Sequence, residues 1–161
     1  MRVFYTLDRS GKLVDGLQIN DGSFKSTSHS NNYNSPNATI WNQQNDPGPL
    51  LEWALEAHRK ALFANAVSRF NCIFAWEDLE TAKWFRGFSR SPLSTPIYEV
   101  HSDGKIHKGD MYVYNAQCGS SEFTSRLDAY WSSSTRAVNN GLGPAWEILV
   151  ELPATIGKRV A

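Results

Sequence analysis

The chain has 161 residues, 41% of them hydrophobic and 20% charged, and its 16 basic and 16 acidic side chains cancel to a formal net charge of zero. That length suits one domain, residues 1–161, with a core of its own. The charge balance excludes a global pull toward nucleic acid or an anionic membrane, and no run of about 18 apolar residues is present to span a bilayer.

The first strand is expected at Arg2–Leu7 (RVFYTL), which is β-branched and aromatic, with Asp8-Arg9-Ser10-Gly11 turning the chain. Charges at Asp8 and Arg9 arrive too soon for a secretory apolar core, so a cytoplasmic location is expected. Lys12 to Ile19 reads as one helical turn or a loop packed on the core. Asp21 to Pro49 is rich in Ser, Asn, Gly and Pro, with Phe24, Tyr33, Ile40 and Trp41 as its apolar anchors. It reads as a long ordered loop.

Leu50 to Phe63 is the clearest helix. Leu51, Leu55, His58 and Leu62 share one side, while Glu52, Glu56, Arg59 and Lys60 lie mostly on the other. Asn71 to Ala75 (NCIFA) is too short for a helix and long enough for a buried strand. Glu77 and Asp78 then suit the positive end of a helix dipole, and Leu79, Ala82 and the Trp84/Phe85 pair follow at helical spacing. Ser68 and Arg69 stand at the mouth of that strand, either as solvated residues or as a polar anchor for a ligand.

Arg86 to Pro96 reads as a Ser/Pro loop, Ile97 to His101 as a half-exposed strand, and Ser102-Asp103-Gly104 as a turn. Lys105 to Asp110 begins another strand or loop that Met111 to Tyr114 extends. Gln117 to Ser125 reads as loop, and Leu127 to Trp131 as a short helix. Trp146 to Leu152 is the last strong strand, closed by Pro153, after which the chain trails off basic. Strands clustered with few helices predict an α+β fold with mainly antiparallel pairing.

Chemistry is sought first on the final strand. Strand alternation puts Trp146, Ile148 and Val150 on one face and Glu147, Leu149 and Glu151 on the other. Glu147, ringed by Trp146, Ile148 and Leu149, is either a partly desolvated acid fit for charge stabilisation or a solvated one. Asp110, after His107-Lys108-Gly109, is either a turn aspartate or a second acid. His101 and His107 bracket a turn with no third ligand in reach, and Cys72 reads as a small buried hydrophobe. Neither a P-loop nor G-x-G-x-x-G occurs, so neither nucleotide class they mark has support.

In order, these segments resemble the ADP-ribosyltransferase superfamily, and more closely uncharacterised bacterial families of that clan than its rifampin-modifying and DNA-targeting members. VFYTLDRSGKLVDGLQI is similar to the clan's opening strand and turn, NCIFAWEDLETAKWF to its second motif, and WEILVELP to the strand that a catalytic Glu opens. IYEVHSDGKIHKGD resembles the strand-turn segment of the rifampin-modifying members. The chain departs from the pattern with Tyr5 and Thr6 in the first strand, Ile73 in the second, and Ala145 two residues before Glu147, which argues against arginine as acceptor.

The resemblance implies two small antiparallel sheets forming a split β-sandwich with flanking helices, and NAD as co-substrate in a cleft between them. It implies that Tyr5, Thr6 and Arg9 meet the dinucleotide from the first strand. Ser68, Arg69, Phe70 and Asn71 would then hold its ribose, pyrophosphate or nicotinamide. Glu147 is the implied catalytic acid, with Asp110 as the alternative. The implied activity is mono-ADP-ribosyl transfer to an unknown macromolecule or small molecule. NAD hydrolysis, or a non-catalytic nucleotide- or partner-binding module on the same fold, are the other two readings.

Overall fold

The computed structural model describes residues 1–21, 48–89, 91–113, 118–135 and 143–161. The long loop expected at 21–49 falls almost wholly outside the described residues, as do positions 90, 114–117 and 136–142 of the shorter expected loops. Within the described residues seven strands run in order: β1 (Arg2–Leu7), β2 (Gln18–Ile19), β3 (Cys72–Ala75), β4 (Ile97–Ser102), β5 (Ile106–Asp110), β6 (Trp146–Glu151) and β7 (Ala154–Arg159). Among the described residues three helices join them: α1 (Gly48–Leu62), α2 (Leu79–Phe88) and α3 (Ser120–Trp131). The fold is thus mixed α and β, with every described strand pair antiparallel.

The strands form two sheets, ordered β1-β4-β7-β2 and β3-β6-β5. They touch where Tyr5 and Trp76 exchange backbone hydrogen bonds of 2.9 and 2.8 Å, and where the Thr6 hydroxyl donates to the carbonyl of Phe74 at 2.7 Å. From that junction they diverge, and the space between is filled. Phe4, Val100 and Ile156 of the larger sheet meet Ile73, Ala75, Ile148 and Val150 of the smaller one in a buried core.

Alternation along β6 sends its other face toward the helices. Leu149 packs with Leu55 of α1, Cys72, and Leu127, Tyr130 and Trp131 of α3. The smaller sheet is therefore the middle of three layers, which is why β6 is buried on both faces from Glu147 to Val150. The expectation of alternating faces holds: Ile148 and Val150 of the apolar set face the other sheet, whereas Trp146 at the strand start is only half-buried.

Several local readings are corrected. Glu52 and Glu56 were expected on the solvated side of α1 but are 2% and 3% exposed, because arginines neutralise them. Leu62, expected inward, is 65% exposed at the helix end. α3 begins at Ser120, so most of the segment expected as loop is its first turns. Met111 to Val113 turns instead of extending β5. Of the two readings of Lys12 to Ile19 the loop packed on the core holds, with Leu13 and Ile19 buried there and the short strand β2 at its end. The tail after Pro153 is a strand in the interior of the larger sheet. At its Gly157 a β-carbon would collide with His101 across the β4–β7 pairing, so the residue that disguises the strand is the one that lets it pack.

Candidate functional site

α2 shows how the middle motif positions its neighbours. Asp78 caps it, accepting from the Thr81 amide and hydroxyl at 2.7 Å each, and these bonds hold its carboxyl below the usual range. Ala82 is buried and Phe85 stacks on Trp76 with ring centroids 4.2 Å apart. The apolar face of α2 thereby locks the end of β3 against β1.

On the other side of β3 lies a charged constellation inside the protein. Arg69 precedes β3 and is 2% exposed. Its Nε and Nη2 donate to the two carboxylate oxygens of Glu52 at 2.7 and 2.9 Å, a fork matched to a carboxylate. Its Nη1 donates to Glu147 Oε1 and to the Tyr130 hydroxyl. The Tyr130 hydroxyl in turn donates to Glu147 Oε1 at 2.6 Å. The rings of Phe74 and Tyr130 flank the guanidinium at 4.8 and 5.3 Å. Four elements of the chain thus meet on one cation: α1, the turn before β3, β6 and α3.

Glu147 is 4% exposed and is held asymmetrically. Oε1 accepts both bonds, and among the described residues none is donated to Oε2. Tyr130 is fully buried. Burial pushes its phenol well above the usual range, despite the nearby Arg69, and the carboxylate of Glu147 adds to the rise. It therefore stays a protonated donor. His107 on β5 stacks beside it, ring centroids 5.5 Å apart, and its Nε2 donates to the Tyr130 carbonyl at 3.1 Å. Burial, with Arg69 nearby, lowers that imidazole to about 4, so it is neutral.

Arg69 and Glu147, expected to converge, do so by direct contact. Arg69 faces inward instead of toward an open groove. Ser68 beside it donates to Glu56 at 3.0 Å, and Glu56 is forked by Arg59. Phe70 is buried against Trp53, ring centroids 5.0 Å apart, and Asn71 is exposed. Tyr5 and Thr6 sit at the sheet junction, and Arg9 lies over the ring of Phe85 at 5.4 Å, away from Arg69. Asp110 is 2% exposed, and its Oδ1 accepts from the amides of Tyr112 and Ala145 at 3.0 Å each, pinning the turn after β5 to the start of β6. His101 and His107 do not meet: they belong to different sheets, His101 bonding Glu99 at 3.1 Å. Cys72 is buried as expected, and burial pushes its thiol well up. Among the described residues no cluster of three or more metal-ligating side chains occurs, and no helix is long and apolar enough to cross a membrane.

Sequence reasoning missed Glu52 and Tyr130. Glu52 hid among helix charges, though an acid one turn before Glu56 on a helix that must pack twice was the available signal. Tyr130 had none, since only the fold brings it to Glu147.

A family model described as "Protein of unknown function (DUF2441)" matches residues 4–161. Comparison with curated proteins gave no match.

Proposed function

The chain belongs to the DUF2441 family, and we propose that it is an NAD-dependent mono-ADP-ribosyltransferase in which Glu147 is the catalytic acid. The observation that carries this reading is the asymmetric hold on Glu147. Arg69 and Tyr130 fix one carboxylate oxygen and, among the described residues, leave the other unbonded at the start of a central strand. A carboxylate oriented in advance costs little reorganisation when positive charge develops beside it.

In this reading Oε2 accepts from the 2-hydroxyl of the nicotinamide ribose. Departure of nicotinamide leaves an oxocarbenium-like centre on that sugar, and the fixed negative charge favours it over the ground state. Arg69, Tyr130 and Glu52 are positioning residues. The two antiparallel sheets joined at Tyr5 and Trp76 agree with the split sandwich that the sequence resemblance implies.

A second reading, a non-catalytic nucleotide-binding module, is favoured by one observation: Glu147 is 4% exposed and the space between the sheets is packed. Incubation with NAD labelled in the adenylate, with a cell extract as acceptor source, separates the readings. Label transferred to a macromolecule supports the transferase. Free nicotinamide with no transfer indicates that water is the acceptor. Bound, intact NAD indicates the module.

A further inference from the structure

The same stretch of β6 that turns Glu147 toward the helices turns Trp146 to the opposite face, and there a cleft of about 500 Å³ opens. Its walls come from the first turns of α2, the turn after β5 and the residues leading into β6. The volume lies within the range of small-molecule sites. Among the described residues its lining holds three aromatic rings, Trp84, Tyr112 and Trp146, and the carboxylates of Glu77, Asp78 and Glu80, with no basic side chain.

We propose that this cleft binds an organic cation, an alkylammonium group whose charge is met by aromatic faces and carboxylates together. The aromatic wall already carries one cation of the chain's own. Lys108 Nζ lies 5.2 Å from the centroid of Trp146 and 2.7 Å from Glu77, so its charge is neutralised there. Glu80 is bonded by Lys83 at 2.7 Å, but that pair is solvent-exposed and weakly held. Asp78 is kept ionised by its Thr81 bonds. Negative charge is thus in excess around the rings.

The aromatic surface is also unusually open. Trp84 is 43% exposed and stacks one side on Phe88, itself 57% exposed, with centroids 5.1 Å apart. The remaining ring surface of Trp84 lines the cleft. Two large aromatics left in water on one helix are costly unless something covers them. A purely apolar occupant would desolvate the carboxylates without compensation, whereas a cation satisfies rings and acids at once. This site is on the other face of β6 from Glu147 and does not depend on the NAD reading.

The test uses choline and its uncharged isostere 3,3-dimethylbutan-1-ol, with no NAD present. Titration is followed by the indole N–H signals of Trp84 and Trp146 in the whole protein, assigned with Trp84→Phe and Trp146→Phe. Choline is expected to saturate in the millimolar range and to bind at least about tenfold more tightly than the isostere. Asp78→Asn with Glu80→Gln, which keeps a capping side chain, is expected to weaken choline at least about threefold. Equal binding of the isostere, unsaturable shifts with choline, or an unchanged affinity in Trp84→Ala would overturn the proposal.

Discussion

Gly109 lies directly beneath the ring of Tyr130, so close that a β-carbon at 109 would overlap the ring. Gly109 pairs with Glu147 across β5 and β6, and its missing side chain is the space through which Tyr130 reaches that carboxylate. Gly109→Ala is therefore expected to destabilise the protein by about 1–3 kcal/mol in urea denaturation, the usual scale of overpacking. The same variant should also lower NAD turnover, because the displaced ring no longer orients Glu147. Unchanged stability would mean that the ring has room to move.

Glu52 and Glu147 share one guanidinium in a water-poor interior. Glu52→Ala is expected to cost about 3–5 kcal/mol, since the Nε and Nη2 donors of Arg69 lose their carboxylate. Glu52→Leu combined with Arg69→Met and Glu147→Gln should recover much of that loss, because the replacement removes all three charges together and leaves no buried carboxylate without its cation. Chemical denaturation of the three proteins decides between pairing and packing. If the triple variant is as unstable as the single one, packing around the network and not charge pairing sets the cost.

His107 gives the protein a pH dependence with a definite sign. Its folded pKa of about 4 lies below the ordinary value of 6.5, so the unfolded chain takes up the proton first. The contribution to stability is full above pH 6.5 and is lost as pH falls from 6.5 toward 4, reaching roughly 3 kcal/mol in all. Urea midpoints across that window should fall, and an NMR titration should show the His107 ring neutral at pH 5. A ring already protonated at pH 6 would contradict its burial against Tyr130 and Trp131.

Asp110 accepts from the backbone amides of Tyr112 and Ala145, one part-buried and one buried. Asp110→Asn keeps an acceptor oxygen and is expected to lose about 1 kcal/mol or less. Asp110→Ala strands both amides and should lose several times more, on the order of 1–3 kcal/mol for each. If Asp110→Asn folds normally but abolishes turnover, the acid itself takes part in the chemistry.

What the sequence disclosed follows the range of the interactions involved. Local patterns placed α1, α2, β1, β3, β4 and β6, because capping at Asp78, helical spacing and strand alternation act within a few residues. β7 was hidden because Gly157, Lys158 and Arg159 argue against a strand, and only its pairing with β4 overrides them. The site was half legible. Arg69 and Glu147 stood out by their places at strand ends. Glu52 and Tyr130, which precede Arg69 and Glu147 by 17 residues each, are brought in by tertiary packing alone. The inward turn of Arg69 was equally out of reach, since it depends on an acid supplied by another helix.

Nicotinamide release from NAD by the wild-type protein and by Glu147→Gln is the most direct measurement. Glutamine keeps the shape and an acceptor oxygen for Arg69 and Tyr130, so its melting transition is expected to stay cooperative. The account predicts a fall of at least about a hundredfold in the release rate, the scale of one preorganised electrostatic group. Wild-type rates from a folded Glu147→Gln protein, or no nicotinamide from the wild type itself, would contradict it.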